Sequence, residues 1–135
     1  MIFELSAARF AVARLEPTSE VPVWAEGSQF LSVTRTRNEL SVVCEERLVP
    51  SGIKAEFGWR CLELAGPIPF EQTGVAAAFL DPLARAEIGV FVVSTYDTDY
   101  LLVKDERLEA AIEALRGSGY EIKSVVQGGL PGRLF

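Results

Sequence analysis

The sequence predicts an α+β fold: a sandwich of one antiparallel sheet with helices on a single face, built from two related units in tandem. Two observations predict it. FLSVTRTRNELSVVCEE (30–46) and VFVVSTYDTDYLLVKDE (90–106) superimpose without gaps, Thr34 on Ser94, Glu39 on Asp99 and Val43 on Val103, and both read as strand, polar turn, strand, acidic end. Upstream of each lies another strand-like run, RFAVARLEP (9–17) and RCLELAGP (60–67), each with an arginine, apolar alternation and a closing proline.

The second copy is the fuller one. After Pro67, EQTGVAAAFLDPLARAEIG places Val75, Phe79 and Leu83 on one helical face, with Thr73 as N-cap and Gly74 and Val75 at the first helical positions. Pro82 either kinks this helix or opens a second short turn capped by Asp81. The hairpin follows, and then DERLEAAIEALRGSG sets Leu108, Ala111, Ile112 and Leu115 on one side of a second helix. Asp105 suits its start, and Gly117 or Gly119 its end. YEIKSVV (120–126) alternates as a closing strand.

The order is therefore βαββαβ, a ferredoxin-like sandwich. In the first copy, VPVWAEGSQ (21–29) leaves room for only a short helix, and VPSGIKAEFG (49–58) for little after the hairpin. The expected division is a degenerate unit over 1–57 and a full unit over 58–135. Units this small bury little apolar area alone, which favours two of them together. QGGLPGRLF at the C-terminus reads as a loop whose Leu134 and Phe135 tuck against the body.

Composition narrows function. The net charge is −6 and no Lys/Arg cluster offers a cationic face, so neither nucleic acid nor an anionic membrane is an expected partner. MIFELSAARF lacks the features of a signal peptide and no apolar run spans a bilayer, which places the chain in the cytoplasm. The chain has no histidine, which removes His triads, His acid–base chemistry and the commonest transition-metal ligand. Cys44 and Cys61 lie in strand-like alternation and read as buried apolar thiols without a disulfide. No metal, no cofactor and no catalytic residue is expected. Trp24 and Trp59 read as core or interface anchors, and Arg35 and Arg37 as partners for acids of the other half.

The segment STYDTDYLLV (94–103) leaves two readings open. Asp97 and Asp99 can simply make Asx-type turns in a tight hairpin. They can also offer carboxylate oxygens, with the carbonyls of Thr95 and Tyr96 beside them, to a cationic group. The start of the first helix, where Gly74 permits close backbone approach, suits a carboxylate. Together these are complementary receptors for the two ends of an amino acid.

Residues 74–115, with TG and Val at 73–75 and STYDTDYLLV at 94–103, closely resemble the ACT-domain proteins, in the branch with tandem ACT units related to the cytosolic arginine sensors. The first copy, with ELSVVCEE (39–46), resembles the degenerate ACT-like half of the same proteins. The resemblance implies a small-molecule sensor that is not an enzyme, an amino-acid ligand held between units, a homodimer and a regulated protein partner. It carries ligand contact to Val75, Thr95, Tyr96, Thr98 and Asp99, to which the residue chemistry adds Gly74 and Asp97. Gln72 falls where the arginine sensors have an acidic residue, which removes one counter-charge for a guanidinium. The alternative from another class is a structural or protein–protein module that kept the fold and lost the ligand.

Overall fold

The computed structural model describes residues 1–124. The chain divides into two compact units, Ala8–Trp59 and a second made of Met1–Ala7 with the chain from Arg60 onward. The division expected at 57/58 is thus corrected twice: the break falls after Trp59, and the first seven residues belong to the second unit. Strand β1 (Ile2–Leu15) is the reason, being longer than the run from Arg9 that the sequence suggested. Its opening IFELSAA already alternates, with Phe3 wholly buried and Glu4 half-buried.

In the second unit the strand order is β7–β1–β4–β6–β5, with β4 spanning Lys54–Leu64, β5 Phe91–Ser94, β6 Asp99–Lys104 and β7 Glu121–Ser124. Helices α1 (Val75–Arg85) and α2 (Leu108–Gly117) complete the expected βαββαβ order from β4 onward. Residues Ile2–Ala7 add a strand between β4 and β7. Because β1 runs parallel to β7, pairing Ile2 with Glu121 and Leu5 with Ser124, the sheet departs here from a purely antiparallel one. Residues 125 and 126, expected to continue β7, and the C-terminal loop lie outside the described residues.

One core serves this unit. Phe3, Leu62, Leu64, Leu101 and Val103 project from the strands onto Phe79 and Leu83 of α1 and Leu108, Ala111 and Leu115 of α2. Strand residues of one parity supply that face, so both helices cover the same side of the sheet, as expected. Pro82 sits inside α1 and is buried, and Asp81 pairs with Arg85 at 3.0 Å rather than capping a new turn. Asp105 is likewise not the cap of α2. It lies in a short 3-10 turn, Asp105–Arg107, and receives the Arg60 guanidinium at 3.0 Å. Gly119, at φ 97°, ends α2, and the Tyr120 N–H returns to the Leu115 carbonyl at 3.1 Å.

The first unit is the trimmed copy. Strands β2 (Ser32–Arg35) and β3 (Leu40–Glu45) form its hairpin, and β3 pairs with Phe10–Leu15 of β1. Only a 3-10 turn, Val23–Ala25, stands where a helix would be. Its core joins Ala13, Ala25, Leu40, Val42 and Cys44, with Trp24 packed against them. Buried Glu45 accepts the Gln29 N–H at 2.8 Å and the Arg47 guanidinium at 2.9 Å, which satisfies its charge. Arg35 donates to the carbonyls of Pro17 and Ser19 in its own unit.

The hairpins repeat with a register one residue different from the gapless match. Ser94 faces Asp99 where Arg35 faces Leu40, so Thr95 answers Thr36 and not Arg35. The turn chemistry agrees. Thr36 donates its N–H to the Glu39 carbonyl at 2.9 Å, and Thr95 donates its N–H to the Thr98 carbonyl at 2.8 Å. A side-chain match favours like residues, whereas the fold aligns the residue that closes the turn.

Cys44 and Cys61 are free and buried. Burial, then the neighbouring Glu63, pushes the Cys61 thiol up to about 12, and burial with Glu45 raises Cys44. Both hold their protons at neutral pH, where only thiolates react. Maleimide is expected to leave the folded protein unlabelled and to label both thiols after denaturation. Mass spectrometry showing modification of the native protein would contradict this.

Candidate functional site

The second unit carries a cleft of about 320 Å³ between the start of α1 and the β5–β6 turn. That volume lies at the lower end of the roughly 300–1,000 Å³ range of small-molecule sites. All seven residues singled out in the sequence, Gly74, Val75, Thr95, Tyr96, Asp97, Thr98 and Asp99, line it, and Gln72 does so as well.

One wall is the helix start. Gly74, not Thr73, is the N-cap, in the left-handed region at φ 78°. Glycine reaches this conformation without the Cβ crowding that opposes it in other residues. The Gly74 carbonyl accepts the Ala78 N–H at 3.0 Å, and the amides that open α1 lack partners within the helix. They are donors with the positive end of the helix dipole behind them.

The other wall is the turn. The Thr95 hydroxyl donates to the Thr98 carbonyl at 3.1 Å, closing a four-residue loop whose central residues are Tyr96 and Asp97. Asp99 opens β6 and accepts the Ser94 hydroxyl at 2.7 Å. The Asp97 carbonyl accepts the Ile68 N–H at 2.7 Å, so this main-chain oxygen is already engaged. Thr98 differs from the rest: it is 6% exposed, and its hydroxyl donates to the Leu64 carbonyl at 2.5 Å. Among the described residues that line the cleft none is Lys or Arg, so Asp97 and Asp99 give it a negative lining. Tyr100, next to Asp99, is raised to about 12 by burial and then by Glu63, and keeps its proton at neutral pH.

Ile68, Pro69 and Phe70, which are not among the residues that the sequence pointed to, line the cleft as well. Phe70 and Tyr96 meet edge to face with centroids 4.8 Å apart, although they are 71% and 80% exposed. Large rings held together in solvent at a cleft mouth are uncommon on a surface. The available signal was the prolines at 67 and 69, which mark a shaped loop before the helix.

Among the described residues no group of three His, Cys, Asp or Glu could hold a metal ion, and no helix is long and apolar enough to cross a membrane.

Comparison with known proteins bears on the family and the fold. Residues 54–117 match the family model of the ACT domain, and a second model, described as an N-terminal domain, matches residues 8–52. The chain is 34% identical over 59 residues to the cytosolic arginine sensor for mTORC1 subunit 1 of Homo sapiens, a match that takes in 43% of this chain and 18% of that protein. The matched segment is thus a small part of that relative's length. A crystal structure from Agrobacterium tumefaciens is similar over 93% of this chain and 94% of its own, at 35% identity and a TM-score of 0.88. The ligand-free regulatory subunit of aspartate kinase from Thermus thermophilus shares the fold at 9% identity and a TM-score of 0.58, over 83% of this chain and 93% of its own.

Proposed function

Because the chain belongs to the ACT-domain family, we propose that it is an amino-acid-binding regulatory protein whose ligand occupies the cleft beside Gly74. One observation carries the reading: the opening of α1 and the acidic turn form two walls of a single cleft, with no Lys or Arg among the described lining residues. In this reading the ligand's carboxylate meets the free amides of α1. Its ammonium meets Asp99, with Asp97 and the Thr95 and Tyr96 carbonyls beside it. Phe70 and Tyr96 flank the remaining side chain. Gln72 lines the cleft with a neutral amide, so the arginine named for the human relative does not transfer to this chain by position. A homodimer, a regulated partner and a cytoplasmic location, all implied by the family resemblance, belong to the same proposal.

Ligand binding to the folded state alone raises its stability by mass action. A thermal-shift panel of the twenty amino acids is therefore expected to show stabilisation by one or a few of them. A panel in which none raises the melting temperature at millimolar concentration sinks the sensor reading and leaves the fold as an interaction module.

A further inference from the structure

We infer that Thr98 is a positioning residue that latches the Leu64–Ile68 segment to the β5–β6 turn and so fixes the distance between the walls of the cleft. The inference rests on the binding reading above, but the latch itself is a matter of contacts.

Three observations converge on this join. The Thr98 hydroxyl, almost fully buried, donates to the Leu64 carbonyl at 2.5 Å. The Ile68 N–H donates to the Asp97 carbonyl at 2.7 Å. Between them Gly66 passes so close that a Cβ there would stand 3.1 Å from the Asp97 carbonyl oxygen, from the Ile68 nitrogen and from the Thr98 Cβ. The chain from Leu64 leads through Pro69 and Phe70 directly to Gly74, and so carries the helix start with it. Asp97 and Asp99 flank Thr98 on the other side.

Ser94, Thr95 and Asp97 are exposed and Asp99 is half-buried, whereas Thr98 points inward with its only hydroxyl proton committed to Leu64. It therefore serves binding through geometry and not by donating that proton to a ligand. A rigid cleft loses less freedom on binding, which is how preorganisation raises affinity.

The test compares Thr98→Val, which keeps the shape and drops the hydroxyl, with Thr98→Ser, which keeps the hydroxyl. Both remove groups from a buried position, so both lower the melting temperature. A purely structural role moves nothing else. Amide exchange at Ile68, read by NMR without any ligand, is expected to speed up about tenfold in Thr98→Val and to stay near the wild-type rate in Thr98→Ser, one buried hydrogen bond in size. In the twenty-amino-acid panel, the amino acid that stabilises wild type is expected to bind Thr98→Val roughly tenfold more weakly, with recovery in Thr98→Ser. Gly66→Ala, which crowds the same join, is expected to weaken binding similarly and serves if Thr98→Val does not fold. Unchanged Ile68 exchange in Thr98→Val overturns the latch. So does unchanged affinity in Thr98→Val and Gly66→Ala when wild type binds. A silent panel on wild type overturns the binding reading instead, and Ile68 exchange then decides the latch alone.

Discussion

Replacing Asp99 by alanine is expected to erase the amino-acid-induced rise in melting temperature while leaving the unliganded protein folded. The carboxylate is the acidic group at the head of β6, and it accepts the exposed Ser94 hydroxyl at 2.7 Å. An exposed pair of this kind adds little to folding, so the unliganded melting point should move by no more than about 0.5 kcal/mol equivalent. Against a ligand ammonium the same carboxylate makes a charge-assisted bond worth about 1.5–3 kcal/mol, so its loss weakens binding by roughly one to two orders of magnitude. Asp99→Asn keeps the shape and one acceptor oxygen but removes the charge, and should fall between wild type and alanine. Calorimetric titration with the stabilising amino acid distinguishes the three. Equal affinity in wild type and Asp99→Ala would show that the acidic turn serves only as turn chemistry, the other reading that its sequence allows.

Much of this site was legible because its signals are local. STYDTD lies between two short apolar runs, VFVV and YLLV, and Thr95 and Thr98 close the turn that such a pattern predicts. Gly74 before an amphipathic run marks a helix start, although the cap is Gly74 itself and not Thr73, because a left-handed φ there favours glycine over a side-chain cap. What escaped notice is non-local. Nothing near Ile2 reveals that it pairs with Glu121, so the strand that joins the first residues to the second unit was missed. The likeness of Glu39 to Asp99 hid the register in which Thr36 answers Thr95, since side-chain similarity carries no information about which residue closes a turn. Thr98 was read as a ligand contact from the family resemblance. Its inward hydroxyl depends on Leu64, a residue on another strand. Phe70 escaped for the same reason, since its partner Tyr96 is distant in sequence.

Truncating Phe79 to alanine is expected to be among the most destabilising single changes in the second unit. Phe79 is wholly buried on α1, one turn after Val75, and meets Phe3 edge to face with centroids 5.5 Å apart. Phe3 in turn touches Tyr120 at 5.4 Å, so three rings join β1, α1 and the approach to β7. These elements come from the start, middle and end of the described chain; β1 and β7 also pair as strands, whereas α1 is a helix and meets Phe3 through the ring of Phe79. Large-to-small changes at such sites cost about 3–5 kcal/mol, because the transfer loss adds to a cavity that neighbours fill only in part. With total stabilities of about 5–15 kcal/mol, that is at least about a fifth of what a domain of this size holds. Urea denaturation followed by circular dichroism should show a much lower midpoint with a similar slope. Because α1 also presents its first turn to the cleft, the variant is expected to bind the stabilising amino acid more weakly, and saturating amounts should recover part of the midpoint. A midpoint within about 0.5 kcal/mol of wild type would mean that the rings do not hold the helix start in place.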